Sequence, residues 1–385
     1  MSAVDFTVRV TSATVPAEQK LKVTNSFSFS YDPATPDLRL HYAIDPYSDE
    51  HWRLLGNLGR VMAAHKQNVI LTPVMLLARP SLAGGAVRYD FSLLDRWIET
   101  FRKAGVVGTI EGGHLLGRSG GYFAPVVVPA YVVEGGQIVR KELSADDPRA
   151  EQFLSSFLTA LYTHLKERGW EKQYIQHVHD EPHDREAPIY MPGIPTIDAV
   201  GLEQDIGFSA GVCDIWVPVL GTFDERLDLL QNHLAEDNGA VWFYTCLSPR
   251  GKYPNRFIDT SLTKVRLLHW INYKWNFAGF LHWGGNFWGP EPHKDTQPVI
   301  NGERTHLPPG DAFITYPARM GFYSSIRLEQ MREGIEDYAL LKELDKADGA
   351  RAHEIAGEAV RTFVDYVREP GEFRAILQKL LDALE

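Results

Sequence analysis

A chain of 385 residues, 44% of them hydrophobic, can bury one large barrel or two ordinary domains. A formal net charge of -11 disfavours a nucleic-acid or anionic-membrane partner, and no apolar run approaches the length of a membrane span. Cys213 and Cys246, each inside an apolar run, read as small buried hydrophobes, neither a disulfide scaffold nor a zinc cage.

The N-terminus has no basic segment followed by an apolar one, so no signal peptide is read and a cytoplasmic setting is expected. Residues 1–20 are expected to form a small β extension. Eight β-rich runs follow: 22–29, 68–74, 106–112, 174–180, 213–219, 240–246, 278–283 and 312–316. Helical periodicities separate them. Leu94, Trp97, Ile98 and Phe101 form one apolar face; Phe153, Leu154, Phe157, Leu158, Leu161 and Leu165 form another; Leu227, Leu230 and Leu234 form a third. Asp90 and Asp224 stand where N-caps belong, Gly105 and Gly169 where C-caps belong.

Residues 123–143 differ, with β-branched runs on both sides of Glu134-Gly135-Gly136, the pattern of a hairpin inserted after strand 3. Residues 326–344 and 350–384 read as C-terminal helices. Alternation of eight strands with helices predicts an α/β fold, a (β/α)8 TIM barrel over 21–346 with a helical extension packed on it over 347–385. Helix-to-strand joints are short and strand-to-helix joints often long, which crowds the long ones at the C-terminal face. No Gly-rich phosphate turn follows the first strand, against a doubly wound sheet.

Buried barrel strands are near-continuously apolar. YIQHVHDEP (174–182) is not. Side chains alternate along a strand, so Ile175, His177 and His179 share one side and Glu181 continues the phase, with Pro182 closing the run. Three readings fit such a tip. The carboxylates could cap the next segment; His177, His179 and His183 could hold a metal, helped by Glu111 and His114; or Glu181 could be the general acid of a glycosidase.

HDEP (179–182), GFLHWGGNFW (279–288) and YPARMGFYSSIRLEQMREGIEDYALL (316–341) together resemble glycoside hydrolase family 123 and, more broadly, the domain of unknown function 4091. The resemblance spans most of residues 20–345. It implies a (β/α)8 β-N-acetylgalactosaminidase with Asp180 and Glu181 as the working pair, exo-acting on glycans ending in β-linked N-acetylhexosamine. No metal and no cofactor are implied.

The pairing suits substrate-assisted chemistry. A direct retaining mechanism wants carboxyls about 5–5.5 Å apart across the anomeric carbon, normally from different strands. Sequence neighbours instead have Cα atoms about 3.8 Å apart and diverging side chains, which suits two tasks on one side of a sugar. Around the mouth, Trp216, Tyr244 and Trp283 are expected to wall a pyranose pocket, with Tyr244 donating to the acetamide oxygen. His282, Asn286 and Trp288 are expected beside a close backbone approach at Gly284-Gly285, and Glu111, His114 and His179 as further sugar ligands. Glu291 is the second carboxylate of a conventional two-carboxylate alternative. A non-catalytic carbohydrate-binding barrel is the remaining alternative. Arg327, Glu329, Arg332, Glu333 and Asp337 have the helical spacing of a brace.

Overall fold

A computed structural model describes residues 9–29, 37–120, 123–181, 193–202, 213–236, 239–297, 299–300, 303–304 and 307–385. Eight parallel strands form one sheet: β1 (Lys22–Asn25), β2 (Val69–Thr72), β3 (Thr109–Gly112), β4 (Tyr174–His177), β5 (Thr196–Val200), β6 (Ile215–Pro218), β7 (Ala240–Tyr244) and β8 (Gly279–His282). Their lateral order is β1-β8-β7-β6-β5-β4-β3-β2. The two ends of that order meet. Asn68 N–H donates to Val23 O at 3.3 Å, while the Asn68 side-chain amide accepts from Val23 N and donates to Leu21 O, both at 3.0 Å. One backbone hydrogen bond and one amide side chain thus bring the sheet nearly to closure as a barrel.

Alternation along each strand sorts the core. Val69, Ile175, Ile197, Ala199, Val217, Val219, Trp242, Tyr244 and Leu281 pack together inside the barrel. The opposite phase, among it Val23, Trp216, Val241, Phe243 and Phe280, packs outward with the helices. Those helices are α1 (Asp49–Ala64), α2 (Ser92–Lys103), α3 (Pro148–Glu167), α4 (Phe223–Leu234), α5 (Leu262–Lys274), α6 (Ile326–Ala359) and α7 (Pro370–Ala383). None of the described helices is long and apolar enough to cross a membrane.

Seven of the expected strands are present, and β4 holds the fourth place. The exchange concerns two segments. Residues 312–316 do not join the barrel; Ala312, Ile314 and Thr315 hydrogen-bond through their backbone to Gly285 and Phe287 in the loop after β8. The fifth strand is instead Thr196–Val200, whose central Asp198 breaks the apolar run that would have marked it. Two aromatic and two β-branched residues are not enough to put 312–316 in the barrel when the eight-stranded sheet nearly closes without it.

The insertion after β3 is a hairpin of Val126–Glu134 with Gln137–Ser144, joined at Gly135 and Gly136. Both glycines have positive φ, 56° and 76°, as the two-residue turn with matching twist requires. Gly105 and Gly169 end helices at φ 104° and 66°. Asp90 accepts from Ser92 N just before α2, whereas Asp224 lies inside the first turn of α4 and takes the Tyr253 hydroxyl. Among the described residues 9–20 no strand forms, so only residues outside the description remain of the expected N-terminal β extension. α6 runs across position 347 and kinks at Asp348. Cys213 and Cys246 are both free and only partly buried.

Candidate active site

Polar side chains in a barrel interior need partners, since an unpaired buried charge costs several kcal/mol. The C-terminal end of this barrel supplies them as a chain. Thr24 Oγ1 donates to Glu111 Oε2 at 3.0 Å, and Glu111 Oε1 pairs with His177 Nε2 at 2.7 Å. His177 Nδ1 lies 3.5 Å from Asp198 Oδ1. Burial opposes charge on His177, but hydrogen bonds and charge from Asp198 and Glu111 outweigh it and push the imidazole up to about 10. The imidazolium is therefore the counterion of two buried carboxylates.

Above this chain, β4 stops at His177 and residues 178–181 carry on alone. Five of their backbone groups nonetheless have partners. Val178 and His179 N–H both donate to Asp198 Oδ1, at 3.0 and 3.2 Å. Val178 O accepts from Leu115 and Leu116 N–H. Arg118 Nη2, from the strand that flanks the inserted hairpin, donates to Asp180 O and Glu181 O at 3.2 and 2.9 Å. Glu181 adopts φ 48°, a left-handed conformation that costs a side-chain-bearing residue about 1–2 kcal/mol and persists only where neighbours hold it.

That backbone turn sends the two carboxylates to different places. Asp180 is 70% exposed at the mouth, with Oδ1 3.9 Å from His114 Nε2. Glu181 turns inward, and the Tyr244 hydroxyl at the end of β7 donates to its Oε1. Its carboxyl lies against Gly201, just past β5, where a Cβ would come within 2.7 Å of Glu181 Cδ. One carboxylate is thus open to ligand and the other held against a phenol. His114 rests its ring 4.7 Å from that of His177.

The β8 side of the mouth holds a second polar group. Trp283 Nε1 donates to Asp311 Oδ2 at 3.1 Å, and His282 Nε2 lies 3.3 Å from Asp311 Oδ1. Buried Arg256 binds His282 Nδ1 and Gly284 O. Burial pushes the Asp311 carboxyl up to about 6, against the pull of Arg256 and of the Trp283 N–H. Burial drives the Cys246 thiol up to about 12, with the charges of Asp311 and Glu181 adding to it.

Of the residues expected here, Asp180, Glu181, His114 and Tyr244 come together, while His179 is buried and gives its N–H to Asp198. Others do not. Glu111 is 1% exposed and its carboxylate is committed to Thr24 and His177, so it supports the site from behind. Trp216 has the outward phase and stacks on His233 of α4 at 4.0 Å. His282 shares the outward phase of Phe280 and is fully buried. Asn286 spends its amide on Ser28 N and Ser28 O. Trp288 is 1% exposed, its N–H given to Thr315 O. Strand alternation turns Trp216 and His282 away from the lumen, while Asn286 and Trp288, in the loop beside Gly284-Gly285, are spent on backbone partners. Glu291 is exposed and paired with Lys294 three residues on. Asp198, Arg118, Gly201 and Asp311 were not singled out. Only the interruption of an apolar run by Asp198 could have signalled one of them.

Among the described residues one trio, His114, His177 and Asp198, has ligand atoms within 4.8 Å of one another. Within it His177 turns Nε2 to Glu111 at 2.7 Å and Nδ1 toward Asp198 at 3.5 Å. His183 and Pro182 lie outside the described residues.

A model of the glycoside hydrolase 123 catalytic domain matches residues 37–344. Among solved structures, the chain is similar to a family 123 glycoside hydrolase from Clostridium perfringens, analysed for glycolipid glycan hydrolysis. Identity is 18%, coverage 97% of this chain and 69% of that one, and TM-score 0.67. Looser likenesses are a GH39 enzyme from Xanthomonas axonopodis pv. citri (12% identity, 87% of this chain, 68% of that chain, TM-score 0.46) and a GH39 beta-xylosidase from Caulobacter crescentus (11%, 87%, 73%, 0.45). No curated protein matches.

Proposed function

The chain belongs to glycoside hydrolase family 123, and from that premise we propose that it is an exo-acting β-N-acetylhexosaminidase, with N-acetylgalactosamine favoured, that works through the substrate's own acetamide. The observation that carries this reading is the split fate of two adjacent carboxylates. Asp180 faces the open mouth, and Glu181 is drawn inward to Tyr244.

Glu181 gives its proton to the glycosidic oxygen as the bond to C1 breaks. The acetamide oxygen attacks C1 from the other face and closes an oxazolinium ring. Asp180 accepts the acetamide N–H, fixes the group for attack and balances the positive charge that develops on the ring. Water then enters at C1 while Glu181, now a carboxylate, takes its proton, and retention follows from two inversions. Tyr244 holds Glu181 before substrate arrives and turns to the acetamide oxygen once it is bound. A conventional mechanism would need a second carboxylate across the pocket. Glu291, the candidate for that part, is solvent-exposed and paired with Lys294.

Three probes test this. A thiazoline mimic of the oxazolinium should bind about 100-fold or more tighter than substrate, as intermediate analogues do. Asp180→Ala should abolish that preference. The matching sugar with a plain 2-hydroxyl should be a poor substrate. If a 2-fluoro glycoside instead labels a carboxylate covalently, the acetamide is not the nucleophile and the conventional mechanism holds.

A further inference from the structure

The sheet ladder of β4 ends at His177, yet the two residues on which the chemistry rests come three and four positions later. A segment beyond the ladder keeps its N–H groups unpaired unless something replaces the neighbouring strand. Asp198 is that replacement. Its single Oδ1 receives both the Val178 and the His179 N–H, at 3.0 and 3.2 Å. Asp198 is 7% exposed, and a carboxylate so deeply placed needs a counter-charge, which His177 provides 3.5 Å away with Glu111 and Thr24 behind it. Three residues further, just past the end of the same strand, Gly201 lies against the carboxyl of Glu181.

We infer that Asp198 is a positioning residue for the Asp180–Glu181 pair: its carboxylate extends the β4 ladder by two hydrogen bonds and so sets where both carboxylates stand. The inference rests on the reading of that pair as the working groups. It touches no substrate and donates no proton. Its effect is geometric, because charge-assisted bonds to consecutive N–H groups define both the position and the direction of the turn that follows. A displacement of about 1 Å at a reacting group can cost about 100-fold in rate, so a small loosening of this tip is enough to matter.

The test compares Asp198→Ala, Asp198→Asn and Asp198→Glu in the full chain. Hydrogen exchange is followed over the peptide holding Val178 and His179. Turnover is followed on aryl N-acetyl-β-hexosaminides of graded leaving-group ability. With alanine, exchange in that peptide should quicken about tenfold or more, since the one acceptor of both N–H groups is lost. The kcat should fall about 100-fold with KM changed little, most for the poorest leaving groups, where Glu181 must be in place. Asparagine keeps an oxygen at the same reach and should recover most of both. Glutamate keeps the charge but moves the oxygen by a methylene and should not.

Unchanged exchange in the alanine variant overturns the inference, as does a loss confined to KM. Should alanine not fold, the other two decide. An active asparagine variant beside an impaired glutamate variant supports positioning, and the reverse order shows that only charge balance matters. A wild-type chain that turns over no N-acetylhexosaminide sinks the proposed substrate instead. The exchange measurement then still decides whether Asp198 holds the tip.

Discussion

Gly201 shows how much of this site is settled by the room left for one group. A methyl there would meet Cδ and Oε2 of Glu181 at 2.7 Å, the far end of a flexible side chain. The fold can absorb such a clash by turning Glu181, but the carboxyl then leaves its bond with Tyr244. Gly201→Ala should therefore lower kcat about 10- to 100-fold while Tm stays nearly constant. An alanine variant with full activity would mean that the Glu181 rotamer seen here is not the working one. The two carboxylates should also separate by leaving group. Glu181→Gln should lose most of its rate on natural glycosides and less on activated aryl glycosides, which need little protonation. Asp180→Asn should lose rate on both kinds, because the acetamide needs orienting whatever leaves. Equal losses across leaving groups would reverse that division of roles.

At the scale of elements, the C-terminal block that carries the family signature works as a brace. Arg327 of α6 donates to the carbonyls of Arg256, Gly310 and Phe313, tying the loops after β7 and β8 to the helix. Glu329 takes His65 at the end of α1. Arg266 of α5 grips Asp337 with two nitrogens at 2.6 and 2.8 Å and also binds Glu333, while Trp270 gives its N–H to the same Asp337. Asp337 is 2% exposed, and burial pushes its carboxyl up against the pull of Arg266. Arg266→Met strands that carboxylate and should cost about 3–5 kcal/mol of stability, read from denaturant midpoints, with kcat on an aryl glycoside unchanged. A stable variant would mean that the α5–α6 contact is held by apolar packing alone.

For the molecule as a whole, the central ion pair makes a prediction in pH. His177 is raised from 6.5 to about 10 when folded. A group whose pKa rises on folding binds its proton more tightly in the folded state. Its stabilisation is complete below pH 6.5 and is lost as pH climbs through 10. His177→Gln leaves Glu111 and Asp198 buried without a counterion and should cost about 3–5 kcal/mol at pH 6. The gap between wild type and variant should shrink steadily from pH 6.5 to pH 10, by calorimetry at several pH values. Parallel curves would show that His177 is neutral in the folded chain.

What could be read without coordinates was whatever repeats locally. Seven strands, the inserted hairpin with its Gly135-Gly136 turn, the helix faces and the adjacent Asp180-Glu181 at the fourth strand tip all rest on spacing within a few residues. Chain-local chemistry dictates those, because side-chain period and turn geometry are properties of short segments. The partners of the site were decided only by folding. Thr24, Glu111, Asp198, Tyr244 and Gly201 come from four different strands or strand ends, and nothing in their spacing shows that they meet. Trp216 and His282 failed as pocket residues for the same reason. Whether a residue near a strand tip faces the lumen or the helices depends on where the ladder begins, and pairing with the neighbouring strands fixes that. The fifth strand went unseen because a charge sits at its centre. That charge is tolerable only because the sheet brings His177 and two backbone N–H groups to it, a compensation that exists in three dimensions alone.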